Sequence, residues 1–183
     1  MATLNQLRQD HANMAGMLHV LKVKQKVLME GERPDFRLVR EVVDYILDYM
    51  DGFSKLLDEV FAQLVHDKVP DADSTSALLA EHYRALRKQL LRLSSDLDMI
   101  LMDGVMPMDR FAADLDGYLD MHQRYLREER EHLVPLMREH FDDSDMERFA
   151  AALPEGAANQ FEQLKKAYPA LEEELDDVAP PAM

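Results

Sequence analysis

The sequence predicts an all-α protein, an up-down-up-down four-helix bundle with a short helical extension at its C-terminal end. The composition is the first reason, because Leu, Met, Ala, Glu, Asp and Arg dominate the 183 residues and there are only 6 Gly and 8 Pro. The second is that apolar residues recur at helical spacing in four long segments. The third is that the breaks between these segments are short, which favours antiparallel neighbouring helices.

The first helix is predicted from about residue 3 to residue 30. It ends where Gly31 and Pro34 interrupt the apolar pattern, as these residue types do at helix ends. One member of its apolar stripe is a histidine, His11. The stripe consists of Leu4, Leu7, His11, Met14, Leu18 and Leu21.

The second helix is predicted from about residue 35 to residue 67, with Asp35 as its N-terminal cap. Ser54, Asp58 and Phe61 lie along one border of its apolar stripe, so polar side chains reach the edge of the core there. The stripe consists of Val39, Val42, Ile46, Met50, Phe53, Leu57, Val60 and Leu64.

A loop rich in Pro, Asp and Ser follows the second helix, and a Ser or Thr at its end is expected to cap the third. This third helix is predicted from about residue 75 to residue 102. His82 is the polar member of its apolar stripe. The stripe consists of Leu78, His82, Leu86, Leu90, Leu93, Leu97 and Ile100.

The fourth helix is predicted from about residue 109 to residue 140. Three successive positions of its buried stripe hold His122, Tyr125 and Glu129, where leucines are expected. The rest of that stripe consists of Phe111, Leu115, Tyr118, Leu133 and Leu136.

The bundle is expected to occupy residues 1–141, followed by a short helical extension over residues 142–171. One helix of this extension is predicted from Met146 to Leu153, and a second helix is predicted after it. Residues 172–183 are acidic, poor in large apolar groups and end in prolines, which predicts a disordered tail.

The charge balance and the absence of cysteine exclude several classes of function. A formal net charge of -15 opposes binding to nucleic acid and to anionic membranes, and it favours metal cations and basic partners. Without cysteine there are no disulfides, thiolate metal sites or cysteine nucleophiles. The N-terminal segment lacks the pattern of a signal peptide, and no apolar run is long enough to span a bilayer, so a cytoplasmic protein is expected.

The polar residues on the buried stripes predict a shared site in the core. A buried imidazole or carboxylate is costly unless it is paired or bound to a cation. A metal held between facing helices would remove this cost for all of them, and imidazole with carboxylate suits iron, manganese or zinc. The residues that antiparallel helices bring toward one end of the bundle are His11, Asp58, His82 and Glu129, with Tyr125 and His122 deeper in the core.

Other interpretations fit the same residues. A single histidine on an apolar face is often a core imidazole bonded to a carbonyl or a tyrosine hydroxyl, and Asp58 can be a charge at the rim. The stripe of the fourth helix can also form a metal-free hydrogen-bond network with His11 and His82. The histidines expected at the surface without a role are His19, His66, His132 and His140.

Taken together, the four helices resemble the hemerythrin HHE cation-binding family, whose domain is a four-helix bundle with a non-haem di-iron site. The resemblance covers about residues 3 to 140 and is carried by LRQDHANM, by the second helix from GERPD to DEVF, by LLAEHYRAL and by YLREEREHLVPLM. It implies ligand places for His11, His82 and Glu129. It also implies that Asp58 is a conservative change of a ligand and that Tyr125 is a phenolate ligand for ferric iron.

Several positions depart from the family pattern. Ser54 and Asp58 stand where the family has a His and a Glu four residues apart, and Leu86 stands where oxygen-carrying members have a second histidine of the third helix. Tyr125 replaces the histidine of the fourth helix. A di-iron centre needs roughly six or seven protein ligands, whereas about five are available here, with His122 as a substitute. These losses favour a mononuclear, altered or vacant site over reversible oxygen carriage.

We therefore expect a hemerythrin-like protein that binds a metal ion, non-haem iron in a mononuclear or altered di-iron site, and that senses or handles metal, oxygen, nitric oxide or peroxide. The alternative is a metal-free bundle that binds a protein partner or forms a homodimer. No arrangement of residues predicts an enzymatic reaction beyond family analogy. The expected ligands are His11, Asp58, His82, Tyr125, Glu129 and His122.

Overall fold

The computed structural model describes residues 2–152 and 157–176, and the regular structure in these ranges is helical throughout. The all-α prediction is thereby confirmed. None of the helices described is both long and apolar enough to cross a membrane. The side chains that fall outside the description within these ranges are those of residues 2–4, 6, 7, 53–57, 152, 157–160, 174 and 176.

Four long helical stretches appear where the sequence predicts them, but two of them contain a π-helical turn. The first stretch is α1 (Ala2–Met29) and the third is α4 (Asp73–Leu101). The second consists of α2 (Phe36–Tyr49), a first π turn (Met50–Ser54) and α3 (Lys55–Lys68). The fourth consists of α5 (Met108–Glu128), a second π turn (Glu129–Leu133) and α6 (Val134–His140).

The helix starts confirm one predicted cap and contradict the other. Asp35 caps α2, because its Oδ1 accepts hydrogen bonds from the backbone N–H of Arg37 at 3.0 Å and of Leu38 at 3.3 Å. The predicted Ser or Thr cap of α4 is wrong. A 3₁₀ turn (Pro70–Ala72) leads directly into α4, so Ala72 is the capping residue and the Ser and Thr residues lie inside the helix.

Contacts across the bundle join antiparallel neighbours. Lys22, late in α1, forms an ion pair with Asp116, early in α5, with Nζ and Oδ1 2.8 Å apart. Arg40, early in α2, donates to the backbone carbonyl of Ser94, late in α4, at 3.1 Å. Because each pair joins the start of one helix to the end of another, the two helices of each pair run in opposite directions. Near the bundle end where α1 and α4 finish, the ring of Phe36 also packs edge-on against Phe111.

The buried stripes of the first, second and fourth stretches follow the prediction where the structure describes them. The prediction for the first two positions of the α4 stripe is wrong by one residue. Leu79 and Tyr83 are buried there, whereas Leu78 is 51% exposed and the His82 side chain is 37% exposed. Because residues 78 and 79 are both leucines, the row that starts at Leu78 and the row that starts at Leu79 both have helical spacing. The row that is buried starts at Leu79 and does not contain the histidine.

Three further helices extend the core beyond the bundle. They are α7 (Asp143–Ala152), α8 (Ala157–Ala167) and α9 (Pro169–Asp176). Phe149 of α7 lies against the rings of Phe61 and Phe141, and Phe161 of α8 lies against Tyr45. Leu171 of α9 is fully buried. The tail predicted from residue 172 begins within α9, and its residues 177–183 lie outside the described residues.

Candidate metal centre

Four of the six predicted ligands form two pairs in the core, beside the π turns. His11 Nε2 and Glu129 Oε2 are 3.4 Å apart, and each residue is only 4% exposed. The phenol of Tyr125 donates a hydrogen bond of 2.5 Å to Oδ2 of Asp58. Glu129 begins the second π turn, and Asp58 follows shortly after the first. Turns of this kind are frequent at functional sites.

The two pairs influence each other electrostatically. Burial and, to a smaller extent, the negative charge of Glu129 raise the pKa of Asp58 to about 8, although the hydrogen bond from Tyr125 opposes this shift. Burial and the charges of Glu129 and Asp58 also raise the pKa of the Tyr125 phenol well above its usual range. The cluster therefore has more acidic groups than its surroundings can stabilise as anions.

His122 is buried as expected, but its hydrogen-bond partner is not another predicted ligand. Its Nδ1 lies 2.6 Å from the hydroxyl of Tyr118. Burial and the nearby His11 lower the pKa of His122 to about 3, so the ring is neutral at physiological pH. Burial also raises the pKa of the Tyr118 phenol well above its usual range, so the hydrogen bond joins two neutral groups.

His82 does not join the cluster. Its Nδ1 is hydrogen-bonded to Oε2 of Glu128, and both side chains are partly exposed in the groove between α4 and α5. A small cavity of about 70 Å³ adjoins this pair, beside Tyr125 and Arg124. The shift of the α4 stripe by one position explains why the histidine turns from the core towards solvent.

Two members of the polar core, Asp10 and Tyr49, were not predicted from the sequence. The Tyr49 phenol is hydrogen-bonded to the buried carboxylate of Asp10, and its pKa is raised well above its usual range by burial, by Asp10 and by Glu129. The signal for Asp10 is its spacing, because it lies on the same helix face as Met14 and Met17. Tyr49 carries no such signal, since a tyrosine on a buried stripe is ordinary.

The described side chains bring no three His, Asp or Glu residues within reach of one common ion. Among the buried side-chain atoms without a hydrogen-bond partner are two that belong to predicted ligands, Nδ1 of His11 and Oδ1 of Asp58. The side chain of Ser54, the other departure on the second helix, lies outside the description. The observed state is thus a set of polar pairs rather than a closed ligand sphere.

These features define a class of protein, an all-helical bundle with paired imidazoles, phenols and carboxylates in its core. The model of the hemerythrin HHE cation binding domain matches residues 2–137, most of the chain, and the protein belongs to this family. Domains of this family bind metal cations, typically iron. No curated protein and no solved structure matches the chain.

The donor types in the core suit a cation, but their number is too small for two. His11, Asp58, Tyr125 and Glu129 supply nitrogen and oxygen donors of the types that iron accepts, and two of the buried atoms without a hydrogen-bond partner belong to this set. His82 and His122 are engaged elsewhere, so the ligand count falls well short of a di-iron centre. A single ion would require the two pairs to turn towards each other.

Proposed function

We propose that the chain binds one metal ion, iron by donor type, in the buried cluster of His11, Asp58, Tyr125 and Glu129. The observation that carries this proposal is that two carboxylates, Asp58 and Glu129, lie close enough in the core for the charge of one to raise the pKa of the other. A cation next to both carboxylates would stabilise their ionised forms and offset the cost of burying them.

Each donor of the cluster has a distinct part. The His11 imidazole and the carboxylates of Asp58 and Glu129 would hold the ion, and the Tyr125 phenolate suits ferric iron. Bound iron supplies a Lewis acid that can change its oxidation state. The surrounding buried side chains limit the access of water. We infer a cytoplasmic role in sensing or handling metal, oxygen, nitric oxide or peroxide.

Elemental analysis after anaerobic reconstitution with ferrous iron tests the proposal. We expect about one ion per chain, because the ligand set suffices for a single centre only. After exposure to air, a visible charge-transfer band is expected from the phenolate. Tyr125→Phe should remove this band, because it removes the phenolate.

Substitutions of single residues identify the ligands. His11→Ala and Glu129→Gln should each reduce the metal content strongly, because each removes a donor from a small set. His82→Ala is the matched control, since it removes an imidazole from the same end of the bundle, and it should keep the metal. Protein without metal after reconstitution, or equal loss in the control, would refute the assignment.

A second candidate function, from a different class, is metal-free dimerisation through an exposed apolar surface. This apolar end surface consists of Met99, Leu101, Met102 and Val105, where α4 ends and the connection to α5 begins. Met102 is 82% exposed and Val105 is 91% exposed. Exposed apolar groups gathered in one place often mark an interaction site.

Light scattering at several salt concentrations tests the second candidate. Two copies with a net charge of -15 each repel one another, so screening by salt should increase the dimer fraction. Met102→Gln combined with Val105→Thr should yield a monomer at every salt concentration. A monomer in the unsubstituted protein at high salt excludes this candidate.

A further inference from the structure

A cavity of about 240 Å³ lies between α1 and α5, beside His11. It is lined by both apolar and polar residues. The apolar residues are Ala15, Leu18 and Leu126, and the polar residues are His11, Gln123, Arg127 and Arg130.

The two arginines at this cavity stand out by their lack of acidic partners. Within the part of the chain that the structure describes, the side chains of Arg127 and Arg130 make no hydrogen bond and no ion pair. Other arginines of this acidic protein do so, for example Arg40 with Asp98 and Arg87 with Asp51. In a chain with a net charge of -15, two unneutralised guanidinium groups at one cavity make a local site for an anion.

The buried imidazole of His11 is a second, independent feature of the cavity. His11 lines it and is almost fully buried, and its Nδ1 has no hydrogen-bond partner. The other ring nitrogen, Nε2, faces Glu129. A buried ring nitrogen without a partner is costly, and a polar ligand atom in the cavity would satisfy it.

From these features we propose that the cavity binds a small organic anion, with a carboxylate or phosphate head held by Arg127 and Arg130. The planar guanidinium group matches such heads because it can donate two parallel hydrogen bonds. Leu18 and Leu126 would contact an apolar body of the ligand, which distinguishes it from inorganic anions. The proposal does not depend on the metal, because only His11 is shared with the ligand set.

Calorimetric titration of the full chain with benzoate tests the proposal, with benzyl alcohol as the neutral analogue of the same shape. We expect one benzoate site and binding of benzyl alcohol that is at least about tenfold weaker, because charge-assisted hydrogen bonds to the arginines are lost. Phenyl phosphate should bind at the same site if the head is a phosphate. Inorganic phosphate should bind more weakly than either aromatic anion.

Arginine variants locate the site. Arg127→Gln and Arg130→Gln should each weaken benzoate binding about tenfold. Arg138→Gln is the matched control, because it makes the same change of charge on an exposed arginine of α6 that does not line the cavity. All three positions are at least partly exposed, so the variants should fold, and circular dichroism checks this.

Chelation separates this proposal from the metal proposal. Benzoate binding that survives removal of metal, and that depends on Arg127 and Arg130, supports the cavity even if the chain holds no iron. Benzoate binding that disappears with the metal and persists in the arginine variants would place the anion on the ion and overturn the inference. Equal binding of benzoate and benzyl alcohol, or of benzoate and inorganic phosphate, would also overturn it.

Discussion

Asp58 and His122 are ionisable groups whose pKa values are shifted in opposite directions by burial in the same core. The pKa of Asp58 rises to about 8 and that of His122 falls to about 3. Each shift favours the uncharged form of the group. At pH 6.5 both side chains are therefore neutral, and their hydrogen bonds with Tyr125 and Tyr118 stabilise them without a cation.

We expect the free energy of unfolding of the metal-free protein to fall as the pH rises from 6.5 to 8. The pKa of Asp58 is about 8 in the folded state and has its usual value of 3.8 in the unfolded chain. The folded state thus retains a proton that the unfolded chain has lost, and stability decreases with pH by up to about 1.4 kcal/mol per pH unit. Urea unfolding at a series of pH values measures this slope.

Below pH 6.5, His122 opposes this slope. Its pKa falls from 6.5 to about 3 on folding, so the unfolded chain takes up a proton that the buried ring does not. The stability lost by His122 as the pH falls offsets the stability gained by Asp58, and the profile should flatten. Asp58→Asn keeps an acceptor for Tyr125 and should remove the slope above pH 6.5. Asp116→Asn, on the surface, should leave it intact, and a slope that persists in Asp58→Asn would contradict the assignment.

For individual residues, the sequence predicts which polar side chains are buried better than it predicts their hydrogen-bond partners. The spacing of the fourth helix correctly placed His122, Tyr125 and Glu129 in the core. It could not reveal that Tyr125 is bonded to Asp58, because a hydrogen bond depends on the rotation of each helix and on the side-chain rotamers. The same limit explains why the prediction for His82 is wrong, because a small rotation of α4 turns its side chain out of the core.

Among the elements, the connection between α4 and α5 begins with a tight turn. The backbone N–H of Gly104 donates to the carbonyl of Met99 at 2.7 Å, and Asp103 has a positive φ of 58°. This is the left-handed end of a helix at which glycine is the usual residue. The turn holds Met102 and Val105 at the surface in a defined geometry.

Two substitutions at this turn should change stability in opposite directions. Asp103→Gly should raise the free energy of unfolding by about 0.5–1 kcal/mol, because glycine adopts a positive φ without steric cost. Gly104→Ala should lower it by about 1–3 kcal/mol, since the added Cβ would lie 2.9 Å from the carbonyl oxygen of Met99. Denaturant unfolding of both variants measures the changes. An Asp103→Gly protein less stable than the parent would show that the aspartate makes a compensating contact.

The π turns are the elements that the apolar pattern did not reveal. A π turn has the same side-chain chemistry as an α-helix and differs only by a wider ring of hydrogen bonds, so it leaves little trace in the spacing of apolar residues. In this chain the second turn begins at Glu129, and Asp58 follows the first turn in the next helix. The helices themselves could be predicted because each buries a long apolar stripe.

For the molecule as a whole, the C-terminal helices belong to the same core as the bundle. Helix α9 lies against α1, where Leu175 contacts Gly16, and Leu171 is fully buried. These two leucines of the acidic segment PALEEELD pack against the core. The sequence alone therefore did not predict α9, because a short acidic helix is stable only when it is docked.

We expect Leu171→Ala to lower the free energy of unfolding by about 2–5 kcal/mol, because it leaves a cavity in a packed core. Leu78→Ala removes the same atoms from an exposed position, and its effect should be within about 0.5 kcal/mol. Thermal unfolding followed by circular dichroism measures both. A separate early transition in the Leu171→Ala protein would mean that the C-terminal helices unfold independently of the bundle.

The first π turn also bears on how the length of the chain can vary. A π turn accommodates one residue more than the α-helix on either side of it. Removing a single residue there, such as the exposed Gly52, would leave an ordinary α-helix with the same faces before and after it. A chain shortened by one residue at this point would therefore still present the position of Asp58 to the core, and the helix would continue without a break.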